Sequence, residues 1–172
     1  AYRRMAAVAV NVGDLDLLQG LDFLRQEASQ GVPLISANLL APSSRTPIFD
    51  PYVMQKVSGI KIAFFGVLSP NFQPEIADAI QKTVGERILI KDPVETAQEM
   101  VLKLRDKVDM IVLLSDLGSQ RDQELVKAVP GIHFVLGGHE GRGLAQPNRE
   151  GKTYLFQSYA KGMYAGKLRL AI

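Results

Sequence analysis

Three polar side chains lie in loops that directly follow apolar runs of the sequence. Asp14 follows the first such run, Asp116 follows the run Met110 to Leu114, and His139 follows two glycines after the run Ile132 to Leu136. Loops at the carboxyl ends of strands in an open parallel sheet share one crevice. We therefore expect the three side chains to converge. Two carboxylates and one imidazole can bind a divalent ion such as Mn, Mg, Fe or Zn.

The same three residues have a second interpretation, in which they cap turns or helices and bind no metal. Asp14 and Asp116 stand where helix N-caps are common, and aspartate is a preferred N-cap residue. The sequence leaves both interpretations open, with one metal ion in the first and none in the second. His133 lies between Ile132 and Phe134, and alternation along a strand turns it away from the core. We expect it to be hydrogen-bonded and not a metal ligand.

Short apolar runs alternate with helical patterns along the chain, which is typical of an α/β domain with mostly parallel central strands. Runs that are apolar on successive residues, around Ile62 and Ile111, predict central strands covered on both faces. The last two strands alternate instead and predict an antiparallel pair at the C-terminal edge. The predicted strands are Ala6 to Val12, Pro33 to Ala37, Ile60 to Val67, Arg87 to Ile90, Met110 to Leu114, His133 to Leu136, Thr153 to Ser158 and Met163 to Ala171.

The clearest helix begins at Asp92-Pro93-Val94-Glu95. An N-cap aspartate, a proline at the first helical position and a glutamate at the third indicate a capping box. The apolar residues that follow lie on one helical face; they are Val94, Ala97, Val101, Leu104 and Val108. Further helices are predicted over Gln19 to Ser29, Pro74 to Val84 and Gln120 to Val129, and Ala41 to Pro51, with three prolines, is predicted to be a surface loop.

Length and composition predict one globular domain over residues 1–172. Apolar residues make up 47% of the chain and charged residues 22%, with 20 Lys and Arg against 18 Asp and Glu. This balance excludes disorder and a basic nucleic-acid-binding surface. The chain has no cysteine, so disulfides and thiolate ligands are excluded. No run approaches the roughly 18 consecutive apolar residues of a transmembrane helix, and we expect no membrane insertion.

The order of these strands and loops resembles the calcineurin-like metallophosphoesterases, and specifically the catalytic domain of the bacterial 5′-nucleotidase and UDP-sugar hydrolase group. The resemblance covers nearly the whole chain and rests on the order and spacing of its segments. These are Tyr2 to Met5, Gly20-Leu21-Asp22-Phe23-Leu24, Ile35-Ser36-Ala37-Asn38-Leu39, Pro51-Tyr52, Gly59-Ile60-Lys61-Ile62, Asp92-Pro93-Val94-Glu95, Gly118 with Asp122, Gly137-Gly138-His139, and Gln157 with Gly162 and Tyr164. It implies a layered α/β sandwich.

The resemblance also implies two metal ions about 4 Å apart, which clamp the attacking and leaving oxygens of a phosphate ester. Asp14, Asp116 and His139 match ligand positions of the second metal. The catalytic histidine position is Leu15, the position of the aspartate that orients that histidine is Leu18, and the last ligand histidine is Gly141. We therefore identify no catalytic residue. The motifs for the first metal and the bridging aspartate have no counterpart, and we expect them to precede Ala1 in the family.

Two functions follow from these departures. One is a binding or scaffold module without hydrolytic activity of its own; the other is a fragment of an active hydrolase completed by upstream sequence or a partner chain. A homodimer is expected because a truncated sheet exposes an edge. The resemblance implies a nucleotide or phosphate ester as ligand and a periplasmic or cell-envelope location, although the sequence itself carries no export signal.

Overall fold

The computed structural model describes residues 5–159 and 165–170. The strands are β1 Val10–Asn11, β2 Leu34–Ile35, β3 Leu39–Leu40, β4 Tyr52–Val57, β5 Ile60–Leu68, β6 Leu89–Ile90, β7 Met110–Asp116, β8 Phe134–Gly137, β9 Asn148–Glu150 and β10 Thr153–Gln157. The helices are α1 Asp14–Leu17, α2 Leu21–Ser29, α3 Pro74–Thr83, α4 Pro93–Leu104 and α5 Ser119–Ala128, with a short 3₁₀ turn at Gly85–Arg87.

A six-stranded sheet with the order β4-β5-β7-β8-β10-β9 forms the centre of the molecule. The four inner strands run parallel, while β4 and β9 are antiparallel at the two edges. The predicted α/β class with mostly parallel central strands is confirmed. In the register of the sheet Ser115 pairs with Gly137, and Gln157 pairs with Gly137 from the other side. The carboxyl ends of β7, β8 and β10 therefore meet at one edge.

Helices α4 and α5 cover one face of this sheet, and alternate residues of the strands form the core beneath them. The buried residues of this layer include Ala63, Phe65, Val67, Ala97, Val101, Leu104, Ile111, Leu113, Leu125, Val126, Val135 and Leu155. Asp92 caps α4 as predicted, because its carboxylate accepts the Glu95 N–H at 2.8 Å. A complete capping box would also need the Glu95 carboxylate to accept the Asp92 N–H. The Glu95 carboxylate instead pairs with Lys91 at 3.5 Å.

The opposite face of the sheet is covered at the carboxyl edge by β1, which pairs with β2 in parallel and contacts β5 and β7. Asn11 of β1 packs against Gly66, where an added Cβ would lie 2.1 Å from the Asn11 Oδ1 atom. A second core joins this layer to α1, α2 and α3. Its buried residues are Val12, Leu17, Leu21, Leu24, Val32, Leu34, Leu39, Phe49, Leu68, Ile80 and Val84.

The rest of that opposite face lines an apolar cavity of about 480 Å³. Phe134 is one of the lining residues, and its ring is 6.1 Å from the rings of both Tyr154 and Phe156. Tyr154 is 37% exposed and Leu136 is 39% exposed. The sheet therefore presents large apolar side chains that neither helical core covers.

The C-terminal antiparallel pair has a different partner from the one predicted. The sequence predicted pairing of Thr153 to Ser158 with Met163 to Ala171, whereas β10 pairs with the preceding β9. Residues 165–170 of the predicted last strand form no strand, and its residues 163–164 and 171 lie outside the described residues. Tyr2 to Arg4 and Gly162, which belong to the segments of the resemblance, also lie outside them. The turn at 151–152 brings β9 directly beside β10, so the local hairpin forms. Among the described helices, none is long and apolar enough to cross a membrane.

Candidate metal centre

Asp14, Asp116 and His139 converge at the carboxyl edge of the sheet, as the sequence predicts. The His139 Nδ1 atom lies 3.4 Å from Asp116 Oδ1 and 3.9 Å from Asp14 Oδ2. One ligand atom from each of the three residues lies within 4.8 Å of the others. Their side chains are 13%, 14% and 28% exposed, in chain order. The group is thus half-buried and open to solvent on one side.

Each of the three side chains is delivered by the end of an element. Asp14 is the first residue of α1, Asp116 is the last residue of β7, and His139 follows β8 by two residues. The Asp116 Oδ2 atom accepts the Asp14 N–H at 2.9 Å, so Asp116 caps α1 from another segment of the chain. Gly13 permits this approach, because an added Cβ would lie 3.1 Å from Asp116 Oδ2.

The capping and metal-binding interpretations therefore apply to the same carboxylate. The N-cap residues of α1 and α5 are Gly13 and Gly118, so neither aspartate is itself an N-cap residue. The Oδ2 atom of Asp116 accepts the Asp14 N–H, and its Oδ1 atom faces His139. Its second oxygen remains available to a cation.

The donor set fits one divalent ion. Bonds from zinc to nitrogen or oxygen are about 2.0–2.2 Å long, so two donors on one ion lie at most about 4.4 Å apart. The two distances from the His139 Nδ1 atom, 3.4 Å to Asp116 and 3.9 Å to Asp14, are within this limit. Asp14, Asp116 and His139 would hold the ion, which would supply a positive charge and open coordination positions for water or an anionic ligand. A pocket of about 410 Å³ in front of the three residues leaves room for such a ligand.

The pKa of Asp116 is raised to about 6, first by burial and also by the negative charge of Asp14. The Asp14 N–H and the imidazole of His139 act in the opposite direction. Burial disfavours the charged form of a carboxyl group when no cation compensates it. A bound cation would therefore relieve an unfavourable arrangement of two neighbouring carboxylates.

A second buried carboxyl group, Asp122, lies behind the cluster. It is 2% exposed, and its Oδ1 accepts the Ser115 hydroxyl. Burial raises the pKa of Asp122 to about 6. The Ser115 Oγ atom also accepts the Leu117 N–H at 3.2 Å, so Asp122 supports the turn that carries Asp116. In the sequence, Asp122 belongs to the segments that carry the resemblance, but no pattern there predicts its contact with Ser115.

Glu140 is another residue of the site that sequence reasoning missed. Its Oε1 atom accepts the Ser119 N–H at 2.8 Å, and the Ser119 hydroxyl contacts both carboxylate oxygens at 3.0 Å. The sequence signal was an acidic residue beside His139 together with a serine at the start of a predicted helix. Only the tertiary fold brings the two together, since they are 21 residues apart in sequence.

Of the positions that depart from the family pattern, Leu15 lines the pocket at this edge. Leu15 is 62% exposed beside Asp14, and Leu18 packs against the second core. Gly141 has a φ of 64° and carries no side-chain donor. His133 lies at the other end of β8, where its Nδ1 atom accepts the Ile111 N–H at 3.1 Å. The predicted hydrogen-bonded role of His133 is confirmed.

Comparison with known proteins reveals relatives by sequence, although no protein-family model matches the chain. It is 32% identical over 126 residues to the trifunctional nucleotide phosphoesterase YfkN of Bacillus subtilis, covering 70% of this chain and 8% of YfkN. It is 30% identical over 142 residues to the metallophosphoesterase YunD of the same organism, covering 81% and 29%. It is 25% identical over 195 residues to the 5′-nucleotidase of Vibrio cholerae, covering 92% and 34%. The chain thus spans about a third or less of these relatives.

Solved structures share the fold. The sulfate thiohydrolase SoxB of Thermus thermophilus superposes with a TM-score of 0.78 and 21% identity over 92% of this chain and 29% of SoxB. The calcineurin-like phosphoesterase YfkN of B. subtilis superposes with a TM-score of 0.76 and 21% identity over 92% of this chain and 56% of that structure. With the sequence relatives, this fold shows that the chain belongs to the calcineurin-like metallophosphoesterases of the 5′-nucleotidase group.

Proposed function

We propose that this chain is a 5′-nucleotidase-like domain that binds one divalent metal ion and serves as a binding or scaffold module without hydrolytic activity of its own. The observation that carries the proposal is Leu15, which lies exposed beside Asp14 at the metal-binding edge. This is the position where the family resemblance implies the catalytic histidine. A leucine side chain neither binds a metal nor transfers a proton.

The donor count supports the same proposal. Among the described residues, the cluster suited to a metal consists of Asp14, Asp116 and His139. Two-metal hydrolysis needs a second ion about 4 Å from the first, held by its own ligands. General acid–base assistance is typically worth about 10² to 10⁴ in rate. A single ion without that assistance is suited to holding an anion more than to cleaving it.

The ligand that we propose is a nucleotide or another phosphate ester. A divalent ion with three protein ligands keeps open positions that phosphate oxygens can fill. The pocket in front of the cluster is bordered by polar groups at Asn11, Asp16 and Ser158, which could contact the remainder of such a ligand. We further propose a periplasmic or cell-envelope location on the basis of the resemblance alone.

The alternative is a fragment of an active hydrolase of the 5′-nucleotidase or UDP-sugar hydrolase type. The observation that favours it is coverage, because the chain spans only 8–34% of the relatives YfkN, YunD and the Vibrio nucleotidase. The missing ligands would then come from a segment before Ala1 or from a partner chain. Leu15 and Gly141 would remain in that arrangement, so we expect its activity to be weak.

Metal binding is tested by calorimetric titration of the metal-free chain with Mn²⁺. We expect one ion per chain, and we expect Asp116→Ala or His139→Ala to weaken binding at least about tenfold, because each removes one of three donors. His133→Ala is the matched control, since His133 is the other of the two histidines and lies outside the cluster. Wild-type titration without binding, or equal binding by all variants, would contradict the metal site.

Hydrolysis is tested separately with a nucleoside monophosphate and a nitrophenyl phosphate ester in the presence of Mn²⁺. We expect no release of phosphate above that of the Asp116→Ala variant prepared in the same way. Turnover by the wild type that Asp116→Ala abolishes would contradict the proposal of a module without hydrolytic activity. It would favour the fragment of an active hydrolase. This comparison excludes contaminating phosphatases, because both preparations would contain them equally.

A further inference from the structure

The carboxylate of Glu140 joins two loops of the metal centre. Glu140 directly follows His139, and Ser119 is the third residue after Asp116. Glu140 accepts both the N–H and the hydroxyl of Ser119, at 2.8 and 3.0 Å. The side chains of Glu140 and Ser119 thus connect the segment that carries the imidazole to the segment that carries a carboxylate ligand.

A second link closes this connection on the other side of His139. The Gly138 N–H donates to the Ser115 carbonyl at 3.1 Å. His139 is therefore flanked by two residues, Gly138 and Glu140, that are each bonded to the loop of Asp116. These contacts restrain the backbone on both sides of His139, whose imidazole lies 3.4 Å from Asp116.

The contact between Glu140 and Ser119 requires a glycine at position 118, both for its backbone conformation and for the space beside it. Its φ is +93°, in the region that favours glycine, and an added Cβ would lie 3.0 Å from Glu140 Oε1 and 3.7 Å from His139 Cδ2. Ser119 is also the first residue of α5, and an anion at a helix N-terminus is stabilised by the helix dipole. These contacts give the Glu140 side chain a defined position although the residue is exposed.

We propose that Glu140 is a positioning residue of the metal centre, which holds the His139 imidazole within coordination distance of Asp116 and Asp14. This inference rests on the proposed metal site. Residues that orient metal ligands without touching the ion typically change metal affinity by 10- to 100-fold. Glu140 acts through the backbone it shares with His139 and through Ser119.

A purely structural role for Glu140 as a cap of α5 has a different signature. Loss of a helix cap lowers stability by about 1 kcal/mol wherever the helix lies, without changing the affinity of a distant site. Asp92 provides the matched comparison, since its carboxylate caps α4 through the Glu95 N–H and does not line the pocket of the metal centre.

The experiment compares Mn²⁺ affinity and thermal stability for wild type, Glu140→Ala, Glu140→Gln, Ser119→Ala and Asp92→Ala. We expect Glu140→Ala to weaken Mn²⁺ binding about tenfold and Ser119→Ala to weaken it less, because the Ser119 N–H remains. Glu140→Gln keeps an acceptor oxygen and should recover part of the affinity. Asp92→Ala should lower the melting temperature and leave affinity unchanged. Unchanged affinity in Glu140→Ala and Ser119→Ala would overturn the proposal.

A measurement without metal separates this inference from the metal site itself. Amide hydrogen exchange of the metal-free chain reports the Gly138 and Ser119 N–H groups directly. We expect Glu140→Ala to speed exchange at both, whereas Asp92→Ala should not. If Glu140→Ala speeds exchange but the wild type binds no Mn²⁺, the loop connection is supported and the metal site is contradicted. If exchange at Gly138 is unchanged in Glu140→Ala, the positioning role is contradicted even when the wild type binds Mn²⁺.

Discussion

At the scale of single residues, Asp122 is a buried carboxyl group outside the three candidate ligands. Its carboxyl group is buried beneath the cluster and accepts the Ser115 hydroxyl. The pKa of Asp122 is raised from 3.8 to about 6, first by burial and also by the charges of Glu140 and Asp116. The Ser115 hydrogen bond and the His139 imidazole oppose it. The folded chain therefore binds a proton at this carboxyl group more tightly than the unfolded chain does.

This difference predicts a pH dependence of stability. Because the folded pKa is the higher one, the contribution of Asp122 is fully present below about pH 4 and is lost as the pH rises through about 6. The difference between a pKa of 3.8 in the unfolded chain and about 6 in the folded chain corresponds to about 3 kcal/mol. Relative to Asp122→Asn, the wild type should lose up to that amount of unfolding free energy between pH 4 and pH 7, measured by urea denaturation with a chelator present.

Asp106→Asn is the control for this measurement, since it alters a carboxylate whose side chain is 85% exposed. Its unfolding free energy should follow that of the wild type across the same pH range. A constant difference between the wild type and Asp122→Asn would show that Asp122 ionises alike in the folded and unfolded chains.

The sequence predicted the candidate ligands because their chemistry and their place after strands are both local properties. Asp14, Asp116 and His139 each follow an apolar run, and the geometry of a parallel sheet brings such positions together. Glu140 and Asp122 escaped prediction because their roles depend on partners in other segments. Nothing near Glu140 in the sequence reveals that its acceptor oxygens meet the start of α5.

At the scale of elements, helix α4 packs one of its faces against the core and exposes the other. Leu104 is fully buried between the helix and the sheet, whereas Leu102, two residues away, is 61% exposed. Replacing a buried leucine by alanine removes apolar contacts and leaves a cavity, which costs about 2–5 kcal/mol. Leu104→Ala should lower the unfolding free energy by that amount, as measured by urea denaturation.

Leu102→Ala is the matched control in the same helix. Alanine has a slightly higher helix propensity than leucine, and the exposed side chain contributes little burial, so stability should change by less than about 0.5 kcal/mol. Equal losses in the two variants would contradict the assignment of the buried face.

The predicted helices agree with the structure better than the strands do. The helices α2, α3, α4 and α5 were all predicted, with their ends displaced by a few residues, because their apolar spacing repeats over several turns. Three strands, β3, β4 and β9, were missed. Residues 54–57 of β4 are exposed and β9 is the polar segment Asn148–Glu150, so neither shows the apolar pattern that identifies a buried strand.

For the whole molecule, the partly exposed apolar side chains on the sheet face opposite α4 and α5 favour self-association. Tyr154 and Leu136 are more than a third exposed on that face, and exposed apolar patches commonly mark protein contacts. We predict a dimer in analytical ultracentrifugation at the highest soluble concentration. Tyr154→Lys should shift the population toward monomer, because burying an ammonium group in an apolar contact is costly.

Leu102→Lys provides the control for that experiment, since it places the same charge on the outer surface of α4. It should leave the distribution of species unchanged. A wild type that sediments as a single monomeric species at every concentration would contradict the predicted association.

The hydrogen bond between Asp14 and Asp116 joins residues that lie 102 positions apart in the chain. Closing a loop of that length costs about 4 kcal/mol of chain entropy, from (3/2)RT ln n, and parallel strand pairs such as β7 and β8 add further non-local contacts that slow folding. The three ligands therefore meet only after most of the chain is in place. Interactions that form after the folding transition state change the rate of unfolding and leave the rate of folding nearly constant. A metal ion at this edge would lengthen the lifetime of the folded chain without hastening its formation.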